Sequence, residues 1–154
     1  MDLIEFAGWT VACNVDSTRQ AYAEMSVGGP EECGCLHCRN FAAARSQLYP
    51  PAVLVLFEQL GIDPTRETEV YHLAPDGSDA DGPPETRMHR YGGWFHAIGD
   101  VVTDREGYEI LSPDFQLTII RGGVVIPSPF PHTPLFRLEF NARVPWIILE
   151  PFAG

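Results

Sequence analysis

Apolar positions along the first 60 residues change from a two-residue to a helical period, and that change sets the expected architecture. Trp9, Val11, Cys13 and Val15 alternate with other residues, the pattern of a half-buried strand, and this makes Cys13 a core residue before it is a ligand. Asp16-Ser17 offers a helix cap, and Thr18 to Met25 a two-turn helix with Tyr22 and Met25 on one side; a strand continuing through Ala21-Tyr22-Ala23 is the alternative. From Leu36 to Leu48 the spacing is helical, with Phe41, Ala44, Arg45 and Leu48 in step and Ala42-Ala43-Ala44 favouring helix. Tyr49-Pro50-Pro51 breaks it. Pro51 suits the first turn of a second helix, where its missing N–H costs nothing. Val53, Leu54, Phe57 and Leu60 give that helix an apolar face, and Gly61-Ile62 a Schellman ending with Ile62 folded back on Phe57.

Beyond residue 68 the chain reads as short strands. Glu69 to Leu73 is extended and runs into 74–86, an acidic, turn-rich surface loop. Its Asp79 and Asp81 fit a calcium loop only if Gly77 and Met88 fill the first and twelfth positions, where carboxylates are required, so the calcium reading fails. Arg87 to Val102 is one long strand or two broken at Gly92-Gly93, with Trp94, His96 and Ile98 on one face. Tyr108 to Leu111 is a short strand. Phe115–Ile120 and Val124–Ile126 flank Gly122-Gly123 as a hairpin, and Pro127, Pro129, Pro131 and Pro134 make a stiff connection. Leu135–Phe140 and Val144–Leu149 are two last strands. Helices gathered early and strands late imply an α+β fold. The expectation is an antiparallel sheet of about five to seven strands, curled or doubled, with a two-helix segment (residues 36–61) packed on one face.

Composition bounds the function classes. At 154 residues the chain is read as a single domain, 1–154. Twenty-one acidic residues against ten basic ones give a formal charge of −11, which repels nucleic acid and anionic membranes. All the basic residues are arginine, a usage typical of GC-rich bacterial genomes. The N-terminal segment lacks the features of a signal peptide, and no apolar run reaches the eighteen or more residues a membrane-spanning helix needs. A cytoplasmic location is the expectation, with thiols reduced or metal-bound.

Chemistry concentrates in a 26–40 loop reading Glu31-Glu32-Cys33-Gly34-Cys35-Leu36-His37-Cys38. A Cys-x-Cys-x-x-Cys spacing lets three thiolates reach one ion from a tight turn, and zinc is the ion that this donor set suits. Cys33, Cys35 and Cys38 are the expected ligands, with His37 or, from a distant strand, His96 as the fourth; His89 is the next histidine in line. The same atoms support thiol chemistry. Cys35 and Cys38 would lie in the first turn of a helix, whose dipole favours a thiolate, although Glu31 and Glu32 oppose one. P-loop, dinucleotide-binding, His-Glu-x-x-His and Gly-x-Ser-x-Gly patterns are absent. The sequence therefore points first to a small binding or interaction protein with a structural zinc, its partner a protein or small molecule of unknown identity. The alternatives are a thiol-dependent enzyme using Cys35 or Cys38, redox or hydrolytic, and an acidic module that binds a basic protein.

Overall fold

The computed structural model describes residues 1–75, 88–131 and 134–150. Within these described residues seven antiparallel strands form an open sheet: β1 (Asp2–Phe6), β2 (Trp9–Cys13), β3 (Glu69–Pro75), β4 (Met88–Thr103), β5 (Glu109–Ser112), β6 (Phe115–Arg121) and β7 (Leu135–Pro145). Three helices of nine or ten residues pack with it, α1 (Val15–Glu24), α3 (Leu36–Ala44) and α4 (Pro51–Leu60), together with the one-turn α2 (Gly29–Cys33). The expected α+β class and antiparallel sheet are therefore present, and the strand order is β1-β2-β4-β7-β6-β5, with β3 also paired to β4.

β4 is the spine. Its first half, His89 to Trp94, pairs with β3, and Gly99 to Thr103 pairs with β2 along the same edge, while β7 pairs residues 88–98 along the other. This leaves a gap in the first edge at residues 96–98, and α1 fills it with side chains. The His96 carbonyl accepts from the Tyr22 hydroxyl at 2.7 Å, the His96 N–H donates back to that oxygen, and the Ile98 N–H donates to Thr18 Oγ1. Thr18 and Tyr22 are buried for that reason, because unpaired backbone groups at this depth would each cost on the order of 1–3 kcal/mol. The core lies between helices and sheet. Tyr49 stands edge-on to Phe57, Phe95, Phe115 and Phe140 at centroid distances of 5.5–5.7 Å.

Local chemistry explains the helices. Asn14, not Asp16, caps α1, its side chain accepting from the Ser17 N–H at 3.1 Å. The helix accordingly begins at Val15, three residues before the expected Thr18. α3 and α4 fall inside the expected 36–61 segment. α4 ends as the sequence indicates, with the Ile62 N–H bonded to the Phe57 carbonyl at 2.9 Å.

Several local expectations are corrected. Residues 29–33 of the expected loop form α2, started by Pro30 in its first turn. Asp2–Phe6 joins the sheet as β1, through a two-residue turn at Ala7-Gly8 with both φ angles positive. Val124–Ile126 is not a hairpin strand. Val125 takes a φ of 52°, and the Val124 N–H and C=O bond to His96 Nε2 and to the Trp94 indole N–H. β6 instead pairs with β5 and β7. The two strands expected over 135–149 are one, β7, which ends at Pro145; just beyond it Asn40 captures the N–H groups of Ile147 and Ile148 in place of a strand partner. Gly92-Gly93 causes no break in β4; a Cβ at Gly92 would meet the Tyr71 ring at 2.3 Å, so the glycine serves close packing. Residues 76–86 of the expected acidic loop lie outside the described residues, and 74–75 belong to β3.

Candidate metal centre

Two short helices meeting at Gly34 create the site. α2 ends with Cys33. Gly34 follows in the left-handed region, with φ of 66° and its N–H bonded to the Pro30 carbonyl, and the chain turns directly into α3. Cys35 is the N-cap of α3 and Cys38 its third helical residue, so their side chains project towards each other as N-cap and N3 groups do. The reversal at Gly34 brings Cys33 back beside them. The three Sγ atoms lie within 4.8 Å of one another. A tetrahedral ion with Zn–S bonds of about 2.3 Å holds its sulfurs about 3.8 Å apart, so small side-chain rotations close this triad on an ion.

The three thiols differ in setting. Cys33 and Cys35 are exposed and Cys38 is buried. Burial, followed by the neighbouring Cys33 and Cys35 sulfurs, pushes the Cys38 thiol well up. Partial burial also acts to raise Cys35, but the backbone N–H of Cys38, the thiols of Cys33 and Cys38 and the N–H of His37 outweigh it, and the Cys35 thiol is lowered. All four cysteines are free, and Cys13 lies elsewhere in the core, its Sγ near Thr18 and the Leu60 carbonyl.

The mutually close group holds the three cysteines, with His37 and His96 outside it. His96 is committed elsewhere: Nδ1 meets Thr68 Oγ1 at 2.9 Å and Nε2 accepts the Val124 N–H at 3.1 Å. Burial, with the Arg137 charge nearby, lowers its pKa to about 4. The His37 ring stacks on His72 at 4.1 Å, nearly parallel. His72 Nε2 lies 2.9 Å from His89 Nδ1, and the His89 ring packs 4.9 Å from Trp146. The fold thus gathers His72 and His89, rather than His96, beside the first turn of α3. His72 and His89 share a face because His72 pairs with Tyr91 across β3 and β4, two residues from His89. That register is invisible in one sequence.

Residues with no apparent chemistry in the sequence hold the two helices in place. Arg45 reaches back from the end of α3 to Glu31 on α2 and to Glu67, which is fully buried and also accepts from the Tyr49 hydroxyl at 2.7 Å. Burial raises the Glu67 carboxyl, against the pull of Arg45 and Tyr49, whereas the Arg45 hydrogen bonds hold Glu31 below the usual carboxylate range. α2 also sits tightly on the chain before β3. The Gly29 N–H donates to the Glu67 carbonyl at 2.8 Å, and a Cβ at Gly28 or Gly29 would approach the Thr65 or Thr68 carbonyl oxygen to 2.8 or 2.9 Å. On the other side, the Tyr91 hydroxyl donates to the His37 carbonyl at 2.8 Å, and buried Asn40 ties α3 to the segment after β7.

Among the described residues no helix is long and apolar enough to cross a membrane. Comparison with protein-family models, curated proteins and solved structures finds no match.

Proposed function

We propose that this chain is a small binding protein built around a metal–thiolate centre, in which Cys33, Cys35 and Cys38 hold a zinc ion that fastens α2 to α3. The observation that carries the reading is the convergence of the three sulfurs to within 4.8 Å from two separate helices. Cysteines kept only as small apolar side chains have no reason to converge, least of all two exposed ones. Zinc suits the site because it is borderline-soft, takes thiolates readily and imposes no electronic geometry of its own. A light atom completes the coordination sphere, water or a group of the bound partner. Loading fixes the relative position of α2 and α3, and with it the surface that they present. The role assigned to the metal is stabilisation, with no turnover, in a reducing compartment such as the cytoplasm.

Metal content of the untagged chain, measured by elemental mass spectrometry with a thiol count before and after chelation, tests the reading. It requires close to one zinc per chain and the release of three reactive thiols when the ion is removed. Freely reactive thiols and no bound metal would overturn it.

A further inference from the structure

We propose that the same triad is a redox switch, in which a low-molecular-weight disulfide oxidises Cys35 and Cys38 to an intramolecular disulfide and expels the metal ion. The inference rests on the metal reading above and adds to it a modification site and its regulation.

The geometry singles out which two sulfurs react. Cys35 is exposed at the N-cap of α3, open to a small oxidant and beside the positive end of the helix dipole. Cys38 is 6% exposed, too buried for an external disulfide to reach, yet it stands one helical turn below Cys35 with its sulfur in the same triad. That is the arrangement of an attacking and a resolving thiol. Cys33 is a poor partner for either. A bond to Cys35 would close a ring across Gly34 alone, whose left-handed backbone already forms the turn. A bond to Cys38 would tie two helices together instead of closing within one turn of α3, and it would pull on α2, which is held by Arg45 through Glu31 and by the close seat of Gly28 and Gly29 on residues 65–68.

The chemistry balances. The Cys35 thiolate attacks one sulfur of R–S–S–R; the Cys35–S–S–R bond forms, the R–S–S–R bond breaks and RS⁻ leaves. The Cys38 thiolate, freed from the ion, then attacks the Cys35 sulfur. A Cys35–Cys38 bond forms and a second RS⁻ leaves. The two electrons lost by the protein sulfurs reside on the two RS⁻ ions, which take protons from water. The metal keeps one thiolate of three, that of Cys33, and dissociates. Reduction by a dithiol regenerates the site.

The test uses the full chain, reduced and loaded with one equivalent of zinc, and verified to retain it after desalting. Oxidised glutathione is added with a chromogenic zinc chelator present, and disulfides are mapped by mass spectrometry after thiol trapping. The expected result is release of the bound zinc at least tenfold faster than with chelator alone. A Cys35–Cys38 disulfide and an alkylatable Cys33 accompany it, and uptake returns after dithiothreitol. A metal-free Cys38→Ser chain should stop at the mixed disulfide on Cys35. Zinc retained with all three thiols intact would overturn the switch and leave the metal reading standing, as would a disulfide that includes Cys33. A chain that takes up no zinc at all overturns the metal reading, and the release step with it.

Discussion

Arg45 holds Glu31 with two hydrogen bonds, 2.8 and 2.9 Å long, from opposite sides of the cysteine-bearing turn. The same guanidinium makes two more to Glu67, at 3.0 and 2.6 Å. One side chain thereby links a surface carboxylate on α2, a buried one ahead of β3 and the end of α3. Arg45→Met should destabilise the chain by about 3–5 kcal/mol, because it strands a buried carboxylate. Urea denaturation gives the number. The double variant Arg45→Met/Glu67→Gln should recover part of the loss; a double variant no more stable than the single would show that the stranded charge is not the cause.

Asn40 is fully buried and bonds on both sides of its amide. Nδ2 donates to the Pro145 carbonyl at 3.1 Å, and Oδ1 accepts from the Ile147 N–H at 2.8 Å and the Ile148 N–H at 3.3 Å. Asn40→Ala removes these partners together and should cost about 1–3 kcal/mol. Hydrogen exchange should show the loss as faster exchange at Ile147 and Ile148, with β7 protected as before. Unchanged exchange there would mean that Asn40 does not hold the segment.

His72 and His96 make the metal-free fold sensitive to acid. Burial lowers both to about 4, helped by His37 and His89 beside His72 and by Arg137 beside His96. In the unfolded chain both take a proton near 6.5. Between about pH 6.5 and 4 the unfolded state therefore binds more protons, so stability is full above that window, falls on acidification through it and levels off below it. His96, fully buried, carries the larger share, because solvent screens the half-buried His72. NMR titration of the imidazole resonances checks the cause directly: midpoints near 4 are expected, and midpoints near 6.5 would remove it.

The parts of this fold that are legible in the sequence are those decided within a few residues. Phe57, Gly61 and Ile62 announce the end of α4, and the Cys-x-Cys-x-x-Cys spacing announces the triad, because a turn of six residues can bring its own sulfurs together. β1 escapes notice since Asp2 and Glu5 break its apolar pattern and its turn uses Ala7 at φ 47°, a conformation no alanine advertises. The hairpin expected at Gly122-Gly123 fails for the opposite reason. Val124–Ile126 has strand propensity, but the N–H and C=O of Val124 are taken by His96 and Trp94, residues about 30 positions away. The same holds around the site. Glu67 lies 22 residues from Arg45, and His89 is 17 from His72, so both partnerships depend on how the sheet and helices assemble, which residue spacing does not encode.

Everything proposed for the site requires that three cysteine sulfurs form the inner shell of one metal ion. X-ray absorption at the zinc edge of the loaded chain measures that shell directly. Three sulfur neighbours at about 2.3 Å and one nitrogen or oxygen near 2.0 Å are expected. A shell of nitrogen and oxygen alone would contradict the metal–thiolate centre, whatever the zinc stoichiometry.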